Sequence, residues 1–278
     1  MIRDSSESLA GRIIYLELNP LDIIELNNII RIDKLWLKGG FPRSVLESSS
    51  ELSDIWMQNF IKTYIERDLP ILGLGAPIKT IEKLWTMLAH INGNLINYSQ
   101  IASSIGVSVN TVKSYISFFE KSFLIRIVQP YFTNIKKRLV KSPKLYFRDT
   151  GILHHLLRLF DLDDLYGHPA VGNSWEAFVI QQISNNLDFK YDINFYRTQD
   201  RSELDFIIKK GNSLLAGIEI KFTNSPKLTK GNTIALNDLR IENNFILTPS
   251  SDDYPLRENI RVCSLEKFIF NYLPKIKK

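Results

Sequence analysis

The chain has 278 residues, with 35 Lys and Arg against 30 Asp and Glu, a formal net charge of +5 and a sequence pI near 9.1. At 44% hydrophobic and 23% charged residues it has the composition of an ordinary globular protein of one to three domains. Its one cysteine, Cys263, excludes an internal disulfide and a cysteine metal cluster; no run approaches the roughly 18 apolar residues of a membrane helix, and no signal-peptide pattern opens the chain. A cytoplasmic protein with no membrane partner is expected. The mild basic excess permits an acidic partner. The histidines at 90, 154, 155 and 168 have no ligand spacing, so His154-His155 reads as packing or surface.

The first stretch, to about Ile32, carries helical turns of apolar residues broken at Pro20. Trp36 to Pro42, with Gly39 and Gly40, predicts a loop. Leu52, Ile55, Trp56, Phe60, Tyr64 and Ile65 recur at helical spacing and predict a helix over 51–69, ended by Pro70, Gly73, Gly75 and Pro77. Ile81, Leu84, Trp85 and Leu88 predict a second amphipathic helix over 78–91. Residues 1–92 thus form a helical segment.

Residues 93–160 read as a winged helix-turn-helix. Tyr98 to Ile116 supplies two helices, with Ala102 small at their crossing, Gly106 in the turn and Ser108 as cap of the second. Val109, Val112 and Ile116 give that helix its buried stripe. This leaves Asn110, Thr111, Lys113 and Ser114 open to phosphates or base edges. Strands follow at 123–128 and 144–147, flanking a basic wing that carries Lys136, Lys137, Arg138 and Lys141. From Lys121 to Arg148 there are eight basic residues and no acid. Double-stranded DNA is the expected partner, with protein contact as the alternative use of the same wing.

Residues 161–278 begin with an acidic, Gly- and Pro-containing boundary over 161–171. A helix is expected over 172–187, strands at 192–197, 203–209 and 213–222, a helix over 227–241 and a strand at 244–248. A turn near 211–212 folds the second and third strands into a hairpin, which sets Asp205 opposite Glu219. Glu219 and Lys221 are two apart and share a face. Two carboxylates and a lysine in apolar strands require a charge partner or a metal. Paired carboxylate oxygens suit Mg²⁺ or Mn²⁺, and a neighbouring lysine can orient a water.

This Asp, hairpin and Glu-x-Lys order resembles the PD-(D/E)XK nuclease superfamily, whose core runs helix, three strands, helix, strand. The resemblance implies that Asp205 and Glu219 hold the metal, that Lys221 acts on the water, and that Glu176 on the preceding helix assists the metal or acts as a base. The whole chain also resembles a bacterial and archaeal family in which an AAA+ ATPase domain is followed by a winged helix and a nuclease-like domain of unknown function. Ser6 to Arg12, Gly39-Gly40-Phe41-Pro42, Tyr64 to Asp68 and, most specifically, Arg138 to Gly151 carry that likeness. It implies an α+β, multidomain architecture, with 1–92 as the remnant of an ATPase lid plus linker helices.

The chain departs from that family in one respect. It contains no Gly-Lys pair, so a phosphate-binding loop is lacking and no ATP site is expected. The sequence starts where the family's ATPase core would finish, which suggests the C-terminal piece of a larger product or a truncated relative, with an ATPase domain or another protein as a partner and oligomers possible. Three functions compete: a DNA-binding protein with a metal-dependent nuclease-like domain, a non-enzymatic adaptor on a degenerate nuclease fold, and the regulatory half of an ATPase.

Overall fold

In the computed structural model, residues 11–14, 16–132 and 138–277 are described, so Lys136 and Lys137 lie outside the described residues. The chain is a mixed α+β protein. Its first half is helical: α1 (Ile32–Lys38), α2 (Pro42–Val45), α3 (Ser50–Thr63) continued by a π-turn over Tyr64–Asp68 into α4 (Leu69–Ile71), α5 (Ile78–His90), α6 (Tyr98–Ile105) and α7 (Val109–Lys121). Strands β1 (Ile125–Pro130) and β2 (Lys144–Phe147) precede α8 (Thr150–Leu157), α9 (Leu162–Gly167) and α10 (Val171–Asn185). Then come β3 (Tyr191–Arg197), β4 (Glu203–Lys210), β5 (Ser213–Ile220), α11 (Lys230–Leu239), β6 (Asn244–Thr248), β7 (Tyr254–Arg257) and β8 (Ile260–Ser264). The chain closes on α12 (Leu265–Lys267), a second π-turn and α13 (Leu273–Ile276).

Local chemistry explains the helix limits. The Ser49, Asn97, Ser108 and Asp149 side chains each accept a backbone N–H in the first turn of α3, α6, α7 and α8. Gly106 ends α6 at φ 72°, a left-handed conformation that costs glycine nothing. Thr229 and Asn232 satisfy each other's backbone N–H in a capping box at α11.

All strands lie in one mixed eight-stranded sheet of order β2-β1-β3-β4-β5-β6-β8-β7. The β3-β4-β5 meander is antiparallel, and β6 joins β5 in parallel through the α11 crossover. The β1-β2 hairpin is not separate from this sheet. It is joined by the short parallel pairing Gln129↔Asn194 and Pro130↔Phe195, so sequence-distant halves share one sheet.

Three apolar clusters hold the layers. One covers a face of the sheet with Ile23 to Val45, α10 and the C-terminal helices. A second lies among α3 to α8 with Leu145 and Phe147. A third packs α11 on the opposite face of the sheet. Packing therefore crosses both 92/93 and 160/161 in sequence.

Two expectations for the N-terminal part change. Residues 23–30 form a run of turns, with Leu26 N–H donating to the Asp22 carbonyl at 3.0 Å and Ile30 N–H to the Leu26 carbonyl at 3.1 Å, that does not propagate into a helix: Ile23 N–H is taken by Gln182 Oε1 at 2.8 Å and Asn28 sits at φ 61°. Trp36 to Lys38 is helical and not loop. Only Gly39-Gly40 breaks α1, where a Cβ on Gly40 would stand 2.3 Å from the Leu21 carbonyl oxygen. Gly40 N–H donates to Asp149 Oδ2 at 2.8 Å, and Asp149 Oδ1 caps α8 at Ile152 N–H. The glycine-phenylalanine-proline loop and the Asp149-Thr150-Gly151 turn thus lock onto each other.

Candidate active site

The site forms where β4 and β5 run beside the first turns of α10. Paired residues Phe206↔Ile218 and Ile207↔Gly217 set a register that brings Asp205 opposite Glu219 one step further on. Gly211, at φ 59°, makes the tight hairpin turn. The Ile220 N–H donates to Asp205 Oδ2 at 2.9 Å, fixing that carboxylate. Glu219 is 3% exposed; its Oε1 accepts from Lys221 Nζ at 2.6 Å, while its Oε2 is buried with no hydrogen-bond partner among the described residues. Lys221 itself is about one-third exposed. Glu176 projects from α10 into the same cluster. The four residues that the sequence assigned to catalysis, Asp205, Glu219, Lys221 and Glu176, therefore line one cleft of about 340 Å³, together with Arg197, Arg201, Glu203 and Asn232.

Lys144 is the residue that sequence reasoning missed. It belongs to β2, is only 3% exposed, and places its ammonium 3.1 Å from Glu176 Oε1, 2.8 Å from Glu203 Oε1 and 3.8 Å from Asp205 Oδ1. Tyr146, two residues on and on the same face, donates its hydroxyl to Glu176 Oε1 at 2.5 Å. In sequence Lys144 is one member of a basic run; only the alternation Lys144, Tyr146 hints at a shared face.

Burial and crowding set the protonation of the cluster. Burial, then repulsion by Asp205, pushes the Glu219 carboxyl well above the usual carboxylate range. Burial pushes Glu176 up to about 7 against the pull of Lys144, with Asp205 adding to the rise. Burial opposes the charge on Lys144, but Glu176, Tyr146, Asp205 and Glu203 outweigh it and hold the ammonium protonated. Burial likewise opposes the Lys221 charge, and Glu219 outweighs it. Four acids thus face the buried Lys144 ammonium, the partly exposed Lys221 ammonium and Arg197, which pairs with Glu203 at 3.4 Å, and the buried acids are held at a cost that a further cation would relieve.

The residues fit a divalent ion at Asp205 and Glu219 in one respect: a buried carboxylate oxygen stands there unpaired. Among the described residues no three His, Cys, Asp or Glu side chains are already arranged as a complete ligand set. The salt bridges of Lys144 and Lys221 occupy part of the acid oxygens.

The basic run from Lys121 to Arg148 is not a continuous surface stripe. Arg126 is half-buried, donating to Gln181 Oε1 at 3.3 Å, and Arg148 is 8% exposed and bound by Glu17 and Asn19. With Lys144 this turns three of the eight cations inward, because their hydrogen-bond and ion-pair partners are distant in sequence. Arg138 and Lys141 are exposed. The Arg138 carbonyl accepts from Gln199 N–H at 2.9 Å and Val140 N–H donates to the Arg197 carbonyl at 3.0 Å, so this stretch runs alongside the strand that supplies cleft residue Arg197. On α7, Asn110, Lys113 and Ser114 are exposed, whereas Thr111 is half-buried and bonded to Ser108 Oγ at 2.8 Å.

His154 lies outside the cleft in a closed hydrogen-bond chain. Trp36 Nε1–H donates to Ser174 Oγ at 2.9 Å, and the two ring nitrogens of His154 meet Ser174 Oγ at 2.5 Å and the Leu37 carbonyl at 2.9 Å. It is a packed core histidine, in line with its sequence reading.

Two family models match successive stretches of the chain. The family model Domain of unknown function (DUF8612) matches residues 30–163, and Domain of unknown function (DUF4143) matches residues 171–268. The cleft draws on both: Lys144 and Tyr146 come from the first matched stretch, and Glu176, Glu203, Asp205, Glu219 and Lys221 from the second. Uncharacterized proteins of Mycobacterium bovis and Mycobacterium tuberculosis are each 37% identical over 256 residues, covering 92% of this chain and 57% of each relative. The chain spans just over half the length of these curated relatives. No solved structure matches. No helix among the described residues is long and apolar enough to cross a membrane.

Proposed function

We propose that the protein is a cytoplasmic, DNA-binding protein whose C-terminal half is a PD-(D/E)XK-like nuclease dependent on Mg²⁺ or Mn²⁺. The single observation that carries this reading is the buried, unpaired Oε2 of Glu219 beside Asp205, with Lys221 on the same face. The order α10, β3, β4, β5, α11, β6 supports it, since it follows the helix, three strands, helix, strand order of that superfamily. Asp205 and Glu219 would hold the ion. When bound, it supplies positive charge against the phosphate and lowers the pKa of water. The chain's own residues do the rest. Asp205 is held still by Ile220 N–H. Lys221 Nζ, partly exposed at the cleft, orients the attacking water. In its ionised form Glu176 would take that water's proton as the oxygen bonds to phosphorus and the bond to the leaving sugar oxygen breaks, the leaving oxygen taking its proton from solvent water. Arg197 and Arg201 line the same cleft, and the α6-α7 pair with the β1-β2 hairpin serves as the winged helix that positions duplex DNA. An ATPase domain or another protein as partner belongs to the same proposal.

Incubating the full chain with duplex DNA and Mn²⁺ tests this reading. Strand cleavage that is lost in both Asp205→Asn and Lys221→Ala is expected. Absence of cleavage by the wild type, or cleavage retained in both variants, would contradict it.

A second reading has one specific observation in its favour. Lys144 already neutralises Glu176, Glu203 and Asp205, as a degenerate site used only for contacts would require. On that reading the protein is a non-enzymatic adaptor, and the wild type binds DNA or protein without metal.

A further inference from the structure

Lys144 is held far more firmly than a side chain that merely borders a cleft. Its strand, β2, is hydrogen-bonded on one side to β1 and on the other to residues 93–96, through Gly93 N–H to the Leu145 carbonyl at 2.7 Å, Leu145 N–H to the Asn94 carbonyl at 3.2 Å and Ile96 N–H to the Pro143 carbonyl at 2.9 Å. The ammonium also lies 5.4 Å from the centre of the Phe195 ring, which supplies the negative face of its π-system. Three carboxylates complete the enclosure, and Tyr146 holds one of them, Glu176. A group fixed at its backbone, under an aromatic ring and among three acids is resident in the site. Its contacts are with Glu176, Glu203 and Asp205, whereas the unpaired oxygen belongs to Glu219.

We propose that the Lys144 ammonium is a built-in cation that takes the place of a second divalent ion, so that the acid cluster accepts one metal ion, on the Asp205 and Glu219 side. Two-metal sites clamp the attacking and leaving oxygens with two ions about 3.5–4 Å apart. Here one of the two positive charges is covalently part of the chain. It comes from the stretch matched by one family model and enters a site built by the other. Because Lys144 is almost fully buried, it acts by positioning the acids and setting the ion count and does not touch the substrate.

This inference rests on the metal-site reading above, and counting bound ions separates the two. Mn²⁺ is titrated calorimetrically into the full chain, with electron paramagnetic resonance as a second count. The wild type is expected to bind one Mn²⁺. Lys144→Met, which keeps the apolar stem and removes the charge, is expected to bind two, and adding Glu203→Gln to that variant returns the count to one. Two ions in the wild type, or one in folded Lys144→Met, overturns the inference. If the wild type binds none, the nuclease reading fails by itself and the variant still decides: an ion gained on removing Lys144 supports the lysine as the occupant, and none overturns it. Should Lys144→Met not fold, the wild-type spectrum decides, since a single uncoupled Mn²⁺ agrees with the inference and a spin-coupled pair overturns it.

Discussion

The backbone N–H of Ile220 donates to Oδ2 of Asp205 at 2.9 Å, tying the acid of one strand to the peptide that separates Glu219 from Lys221 on the next. The hydrogen bond orients Asp205 for whatever the cluster binds. Asp205→Asn keeps an acceptor oxygen for that N–H and removes one of several crowded negative charges. Its apo stability should lie within about 1 kcal/mol of wild type, because the hydrogen bond is retained and a repulsion is relieved. Urea unfolding measures this; a loss of several kcal/mol would show that the carboxylate charge itself holds the strands.

The salt dependence of DNA binding should distinguish exposed from buried cations. Each phosphate contact contributes a slope near −0.9 in log affinity against log salt concentration. Arg138→Ala with Lys141→Ala should flatten the slope by about 2 if both touch phosphates. Arg126 and Arg148, turned inward onto Gln181 and onto Glu17 and Asn19, should leave the slope unchanged when replaced and lower stability instead. Fluorescence anisotropy across a salt series reads the first effect. An unchanged slope in the Arg138 and Lys141 variant moves the hairpin to protein contact.

The order of the C-terminal elements was legible because each has a local cause. Short apolar runs mark β4 and β5, Gly211 marks their turn, and equal distance from that turn pairs Asp205 with Glu219. The helix cap at Ser108 and the turn at Gly106 were legible for the same reason. Lys144 was not. Its place depends on β1 pairing in parallel with β3 some 65 residues away, as in the Gln129 and Asn194 contact, and no local pattern announces such a pairing. Arg126 and Arg148 looked like surface charge because their partners also lie far along the chain. Residues 23–30 looked helical because their apolar spacing is right, but the Ile23 N–H bond to Gln182 and the left-handed Asn28 keep them as separate turns.

The Gly39-Gly40 turn makes a steric prediction. An added Cβ at Gly40 meets the Leu21 carbonyl oxygen at 2.3 Å, backbone that cannot swing away. Gly40→Ala should destabilise the fold by about 1–3 kcal/mol. Gly172, near the start of α10, has open space around its Cβ position. Gly172→Ala should be neutral or stabilise by up to about 1 kcal/mol through helix propensity. Equal effects in thermal melts of the two variants would contradict the packing described.

His154 predicts an acid-sensitive junction. Burial is the main cause that lowers its pKa from 6.5 to about 4, because only the neutral ring satisfies both Ser174 and Leu37 without stranding a charge. A base with a depressed folded pKa contributes stability above its unfolded value. Between pH 6.5 and about 4 the unfolded chain binds more protons, so stability falls as pH falls through that window, by an amount on the order of 3 kcal/mol. Asp149, which burial raises from 3.8 to about 6, works in the opposite direction: the folded state there holds the extra proton, so its term favours the fold as pH falls. His154→Gln should therefore flatten the acid side of the stability profile, and Asp149→Asn should steepen it. Urea midpoints at pH 4.5 and 7 decide the matter, and identical profiles in wild type and His154→Gln would refute the assignment.

The account stands or falls on whether the acid cluster takes a divalent ion. An ion that binds only the folded state stabilises it by RT ln(1 + [L]/Kd), about 2.7 kcal/mol at one hundred times Kd. The most direct measurement is the thermal melt of the full chain at neutral pH with and without millimolar Mn²⁺. A rise of several degrees that disappears in Asp205→Asn is the predicted result. A wild-type melt indifferent to Mn²⁺ would contradict the metal-site reading and leave the cluster as a structural knot closed by Lys144 and Lys221.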